Sequence, residues 1–168
     1  MKMLVLFSGQ PGTDRDTFAA RLARERGWTL LAKDSITRSL AQVDIADKFA
    51  AYTIMFGLAA LNLRNDTPVV LDAPFSLPRT RTQARKVAEE HDATFLAISC
   101  ICSDSARWEA SLAITPPQSE GWASESFTSA EKMRQRYYLW RTPHLLLDAV
   151  NGTDENYRAL LMYLASSI

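Results

Sequence analysis

The residues from Met3 to Ala23 constrain this chain more than any other stretch. Five apolar side chains, Met3 to Phe7, run up to a glycine and proline turn, Gly9-Gln10-Pro11-Gly12. Phe18, Ala19 and Leu22 then recur on one helical face. A buried strand, a tight turn and a helix in immediate succession open an alternating α/β fold. The apolar run is too short for a secretory leader and leads straight into the turn.

The turn is in frame with the pattern G-x-x-x-x-G-K-[ST], a loop whose backbone amides cradle phosphate. It reads Gly9-Gln-Pro-Gly-Thr-Asp14-Arg15-Asp16, followed by Thr17. The frame survives through Gly9, Pro11 and Gly12, and the three positions that carry the chemistry differ. Asp14 replaces a glycine that lets backbone approach phosphate closely. Arg15 keeps the charge of the lysine but is longer, planar and forked. Asp16 replaces a hydroxyl that ordinarily holds Mg²⁺. A carboxylate ~5 Å from a phosphate charge costs ~3 kcal/mol at an effective dielectric of ~20. Gly9, Gly12, Thr13, Arg15 and Thr17 are the residues a phosphate would touch. Against that stands a loop turned into a capped turn, with Asp14 and Asp16 occupying the helix amides as internal anions.

Further apolar strands are expected at Thr29–Ala32, Pro68–Leu71, Ala93–Cys100 and Leu145–Leu147, near-continuous as buried parallel strands are. Helices are expected over Asp16–Glu25, Ser35–Gln42, Asp44–Leu63, Arg79–His91, Asp104–Ala113, Ser129–Trp140 and Asp154–Ser166. The alternation predicts a doubly wound, five-stranded parallel α/β sheet flanked by helices, within one domain spanning residues 1–168. Ligands of such sheets sit beyond the C-terminal strand ends. Polar groups collect there: Lys33, Asp34 and Arg38, then Asp72, then Cys100 to Arg107, then Asp148. Residues 115–128, with two prolines and a glycine, read as a mobile flap. The helix over 44–63 is apolar on more than one side, through Phe49, Tyr52, Met55, Phe56, Leu58 and Leu61. That suits a core helix, with an apolar ligand groove or a homodimer face as alternatives.

Charge argues against two classes of partner. Nineteen basic and nineteen acidic side chains give a formal net charge of zero, so no basic field for nucleic acid is expected. No stretch is long enough to span a bilayer, and a cytoplasmic location is expected. Cys100 and Cys102 lie on one face of a strand and read as buried thiols rather than a metal site; no metal ligand set is expected.

The order of the loop, Leu31-Ala-Lys-Asp-Ser-Ile-Thr-Arg38, Pro68-Val-Val-Leu-Asp-Ala-Pro-Phe75 and Arg107 resembles the small P-loop kinases. These include kinase-like domains of polynucleotide kinase, chloramphenicol phosphotransferase, zeta toxins and bacterial AAA-family kinase-like proteins. The resemblance covers nearly the whole chain and implies a P-loop NTPase fold, with ATP and Mg²⁺ as cofactors where the loop works. It implies that Asp34 accepts the proton of a substrate hydroxyl and that Arg38 helps hold the acceptor. Asp72 would lie near the metal, and Arg107 would be the first arginine of a lid over the phosphates. A second lid arginine is often found four residues on; here that position is Ser111, and no Lys or Arg occurs between Arg107 and Lys132.

The departures fall on the donor half, and the acceptor half of Lys33, Asp34, Arg38 and Asp72 looks intact. Phosphoryl transfer depends on positioning and charge neutralisation. The first expectation is therefore a kinase-like protein with impaired Mg-ATP transfer and a pocket for a small hydroxylated or phosphorylated ligand. A working kinase with a deviant loop, Asp16 and Asp72 holding the metal, is the second. A non-catalytic scaffold acting through the long apolar helix is the third.

Overall fold

The computed structural model describes residues 2–47, 49–114 and 139–167. Strands β1 (Met3–Gly9), β2 (Thr29–Ala32), β3 (Val69–Asp72), β4 (Thr94–Ile101) and β5 (Leu145–Asp148) alternate with helices α1 (Arg15–Arg26), α2 (Lys33–Ala41), α3 (Ala50–Arg64), α4 (Pro78–Glu89), α5 (Ser105–Ile114) and α6 (Thr153–Ala165). All pairings are parallel, in the order β2-β3-β1-β4-β5. The expected five-stranded, doubly wound sheet is therefore observed.

Strand β1 is buried throughout because both of its faces are covered. Met3, Val5 and Phe7 pack with Phe18 and Leu22 of α1 and with Tyr157, Leu160 and Leu164 of α6. Leu4 and Leu6 turn the other way, onto Met55, Ala59 and Leu63 of α3 and Ala84, Val87 and Ala88 of α4. The period of two along a strand thus divides one apolar run between two cores. In register, Phe7 pairs with Asp72, Ala32 with Asp72, Gly9 with Cys100 and Ile101 with Asp148. The C-terminal strand ends therefore form one rim.

The expected helix over 44–63 begins only at Ala50. Asp44 takes a left-handed conformation at φ 59°, which no helix interior accommodates. Val43 and Ile45 both donate to the Leu40 carbonyl, closing a turn, and the Asp47 carboxylate accepts from Phe49 N at 2.7 Å. The helix is also less buried than its composition suggests. Met55, Ala59 and Leu63 are enclosed, and Tyr52 and Phe56 gather round Phe75. Ile54, Leu58 and Leu61, however, face outward. Helix α2 starts at Lys33, immediately after β2, with no side-chain cap at its start. Asp34 and Ser35 therefore do not serve as its cap.

The flap expected at 115–128 lies outside the described residues. So does the helix expected over Ser129–Trp140, except for Leu139 and Trp140, which are not helical. Cys100 is buried and Cys102 is half-buried, and both are free thiols. Burial pushes the Cys100 thiol far above its ordinary range, so it is not a nucleophile at neutral pH.

Gly9 closes β1 where no side chain fits. A Cβ there would lie 2.5 Å from the Cys100 carbonyl oxygen and 2.9 Å from Thr13 Oγ1. Because the nearer atom is backbone, Gly9→Ala must push β1 and β4 apart, and it is expected to lower unfolding free energy by ~1–3 kcal/mol. Urea denaturation measures this; an unchanged midpoint would show that the loop shifts freely.

Candidate functional site: an arginine-filled loop at the strand ends

Between β1 and α1 the chain forms a tight loop with two residues at positive φ. Gly12 has φ 75°, and Asp14 has φ 58° and ψ 13°. Aspartate is among the few non-glycine residues that enter this left-handed region at modest cost. The conformation has a second consequence. A capping residue needs extended dihedrals for its side chain to reach the helix amides; Asp14 stands at the cap position of α1 but makes no side-chain cap bond. The expected capped turn is thus not what forms at Asp14. Asp16 reaches only the neighbouring amide, accepting from Thr17 N at 3.0 Å. Thr13 is buried and donates to the Gln10 carbonyl at 2.6 Å. Thr17 is exposed on α1.

Arg15 turns inward. Only 4% exposed, its guanidinium donates from Nε to Asp72 Oδ1 at 2.5 Å and from Nη1 to the Gly9 carbonyl at 2.8 Å. Its Nη2 lies 3.7 Å from Asp34 Oδ2. Asp72 therefore does not close a turn before Pro74, as a strand-end aspartate commonly would; it is the principal counter-ion of Arg15. Burial pulls the Arg15 pKa down, but Asp72 and Asp34 outweigh burial and raise it. Burial also pushes the Asp72 carboxyl up, against the pull of Arg15. Without its arginine, Asp72 would be an uncompensated charge in the interior.

Asp34 sits in the first turn of α2, 3.6 Å from Lys33 Nζ as well as 3.7 Å from Arg15. Both separations exceed hydrogen-bond length, so these are charge contacts that leave oxygen lone pairs for a donor. Lys33 Nζ also lies 5.8 Å above the Tyr52 ring, and the Tyr52 hydroxyl accepts from Phe75 N at 3.3 Å. Arg38 projects from the same helix and donates to Ser35 Oγ at 3.0 Å. The structure thus brings Arg15, Asp34 and Asp72 together, with Lys33 beside them.

Helix α5 lies against the other side of the loop. Asp104 caps it, accepting from Arg107 N at 3.0 Å. Arg107 reaches the β5 end, donating from Nη1 to the Val150 carbonyl at 3.4 Å. The next residue, Trp108, is 2% exposed and donates from its indole to the Pro11 carbonyl at 2.8 Å. A Cβ on Gly12 would meet Ser111 Cβ at 3.2 Å and Trp108 Cδ1 at 3.4 Å. The sequence analysis did not single out Trp108, which holds the loop; its place one residue beyond Arg107 was the available signal. Asp148 joins β4 to β5, accepting from Ser103 N and Val150 N, and these bonds outweigh burial to lower its pKa. Among the described residues no cluster of three or more His, Cys, Asp or Glu side chains could hold a metal ion. No helix among them is long and apolar enough to cross a membrane.

A family model described as AAA domain matches residues 4–110. No curated protein is a significant match. Several solved structures share the fold over almost the whole length of both chains. The APS kinase CysC of Mycobacterium tuberculosis, in complex with AMPPNP and APS, is 18% identical with a TM-score of 0.68, covering 98% of this chain and 98% of that one. Kti12 of Chaetomium thermophilum in complex with ADP-AlF3 is 15% identical, TM-score 0.69, covering 98% of each chain. A gluconokinase from Sinorhizobium meliloti 1021 is 12% identical, TM-score 0.68, covering 98% of this chain and 92% of that one. At these identities the likeness is one of fold.

Two predictions follow from the charges. Arg15→Ala strands a buried carboxylate, which ordinarily costs ~3–5 kcal/mol. The double change Arg15→Met with Asp72→Leu should recover most of that loss, as a thermal-denaturation cycle would show. Asp14 tests a different point. Burial first, then Asp16, raise its pKa above the ordinary 3.8, with Arg107 opposing. A raised folded value means that stability falls as pH rises through that value, and the penalty is complete above it. Asp14→Asn, which keeps the left-handed conformation, should therefore raise Tm at pH 7. The gain should vanish below the ordinary carboxylate range, where both states are protonated.

Proposed function

The chain belongs to the AAA domain family and has the fold of the small P-loop kinases, and from that premise we infer that it is a ligand-binding member with impaired Mg-ATP phosphotransfer. The observation that carries this is the posture of Arg15. Two of its N–H groups are given to Asp72 and the Gly9 carbonyl, and turning that edge of the guanidinium to a phosphate would mean leaving both. Removing one partner from a buried ion pair costs ~3–5 kcal/mol, equal to two to four orders of magnitude in affinity. Asp14 and Asp16 add repulsion toward an anion in the same cradle. The residues present thus do not fit a Mg²⁺-bound triphosphate.

The acceptor side supports a positive role. Asp34 offers open lone pairs near Lys33 at the strand-end rim, so a small ligand with a hydroxyl could donate to Asp34 while Lys33 answers an anionic group. Arg107 is a further cation on the same rim. We assign Asp34 to ligand binding and, where chemistry occurs, to general-base work. Nothing in the site calls for nucleic acid or a membrane.

Isothermal titration with ATP and Mg²⁺ tests the donor half. Wild type is expected to show no micromolar binding. The triple change Asp14→Gly, Arg15→Lys and Asp16→Ser, which restores the pattern's own residues, should gain ~100-fold or more in affinity. Micromolar binding by wild type, with turnover of a hydroxyl acceptor abolished by Asp34→Asn and Arg15→Ala, would instead establish a working kinase.

A further inference from the structure

We propose that a cavity on the flank of α4, apart from the strand-end rim, binds a small organic anion: a phosphate or carboxylate carried on a flat apolar body. The cavity has a volume of about 760 Å³ and is walled by α4, the start of β4 and the segment that precedes β5. That volume is the ordinary size of a small-molecule site. Three arginines, Arg81, Arg85 and Arg141, line it together with the rings of Phe95 and Trp140. Phe95 stands in register with Leu4, near the start of β1, whereas the rim lies at Gly9. The cavity therefore extends along α4 toward the other end of the sheet, and none of Arg15, Lys33, Asp34 and Asp72 lines it.

The lining has the chemistry of an anion site. The guanidinium carbon of Arg85 lies 4.6 Å from the centre of the Phe95 ring, over its face, and that of Arg81 lies 4.3 Å over Trp140. A cation over a ring is attracted to it without spending a hydrogen-bond donor. Arg85 is thus oriented by Phe95 while its N–H groups stay available to a guest. Arg81 is the fixed member of the three. Only 7% exposed, it donates from Nε to the Phe75 carbonyl at 2.6 Å and from Nη2 to the Ser76 carbonyl at 3.4 Å. Trp140 is set in turn between Arg81 and the His144 ring, whose centre is 5.1 Å away. Among the described residues neither the half-buried Arg85 nor the exposed Arg141 has an ion-pair partner, and no carboxylate lines the cavity. Glu89, one turn beyond Arg85 on α4, is exposed and outside the lining, and Glu90 is paired with Lys86 at 3.6 Å. Cations gathered on one concave wall repel each other, and an anion among them relieves that repulsion. The planar fork of arginine matches a carboxylate or phosphate with paired hydrogen bonds. Phe95 and Trp140 add apolar surface beside the charges, so the ligand is assigned a flat body as well as an anionic group.

Naphthyl phosphate is the probe, with naphthoate as the carboxylate arm and uncharged naphthol as the control for the ring alone. In the isotope-labelled full chain, the indole N–H resonances of Trp140 and Trp108 report the cavity and the loop separately; Trp140→Phe and Trp108→Phe assign them. Wild type should show a saturable shift at Trp140 with the phosphate, the carboxylate or both, and none at Trp108. Naphthol should bind ~10-fold more weakly or worse, and Arg85→Ala and Arg141→Ala should each weaken the anion's affinity by ~10-fold or more. Arg141 is exposed, so its replacement tests the charge without disturbing the core. A Trp140 shift that fails to saturate, equal affinity for naphthol, or an affinity indifferent to both arginine changes would overturn the proposal. A shift at Trp108 alone would place the anion at the loop and overturn it equally.

Discussion

One buried cation organises the rim of this sheet. The Arg15 guanidinium touches the end of β1 through the Gly9 carbonyl, the end of β3 through Asp72, and the start of α2 through Asp34. These three segments are far apart in sequence and adjacent only because β1 lies beside β3 and β3 beside β2. Asp34 and Asp72 would repel each other without a positive charge between them. Such a pair adds little net stability over an apolar substitute, because desolvation offsets the attraction. What it does is fix one arrangement: the alternatives leave a charge buried and alone.

The opposite side of the loop is held by different means. Trp108 covers Gly12 and hydrogen-bonds the Pro11 carbonyl. Helix α5 is itself pinned at its start by Asp104 and, through Arg107, to the turn after β5. The loop therefore lies between an ionic floor and an aromatic roof. The acceptor side is looser, since Asp34 is held by charge contacts at 3.6 and 3.7 Å rather than by hydrogen bonds.

Much of this was legible in the sequence, and the parts that were not share a cause. The apolar runs ending in Asp72 and Asp148 and the alternation of strand and helix fixed the sheet, because burial on both faces leaves a continuous signature. The acidic substitutions beside Arg15 were visible as a charge conflict. Where the arginine would point was not, since a strand-end aspartate makes backbone turns as readily as ion pairs. The cap expected at Asp14 failed for a backbone reason, its left-handed dihedrals. The late start of α3 has the same origin at Asp44. A single residue with positive φ ends helical geometry, yet aspartate carries no sequence mark that tells a left-handed residue from a helical one. The outward turn of Leu58 and Leu61 was hidden because apolar periodicity shows that a face is apolar, not whether its own chain covers it.

The loop's three departures are better understood as one. With lysine at position 15, a flexible stem carries a point charge that can serve a guest as easily as Asp72. Arginine's planar fork binds carboxylate and carbonyl together, and each bond restrains the other. On the function proposed above, a cation committed to the floor frees the cradle above it from having to suit anions. Aspartate then becomes tolerable at position 14, because it can adopt the dihedrals the loop requires, and at position 16, where it is exposed to solvent. On the function proposed here, the two acidic side chains suit a loop whose cation is Arg15, since Asp14 or Asp16 beside a mobile lysine and a phosphate would carry a cost. This matters for any attempt to restore the loop: exchanging Asp14 and Asp16 alone would leave the guanidinium where it is, bound to Asp72.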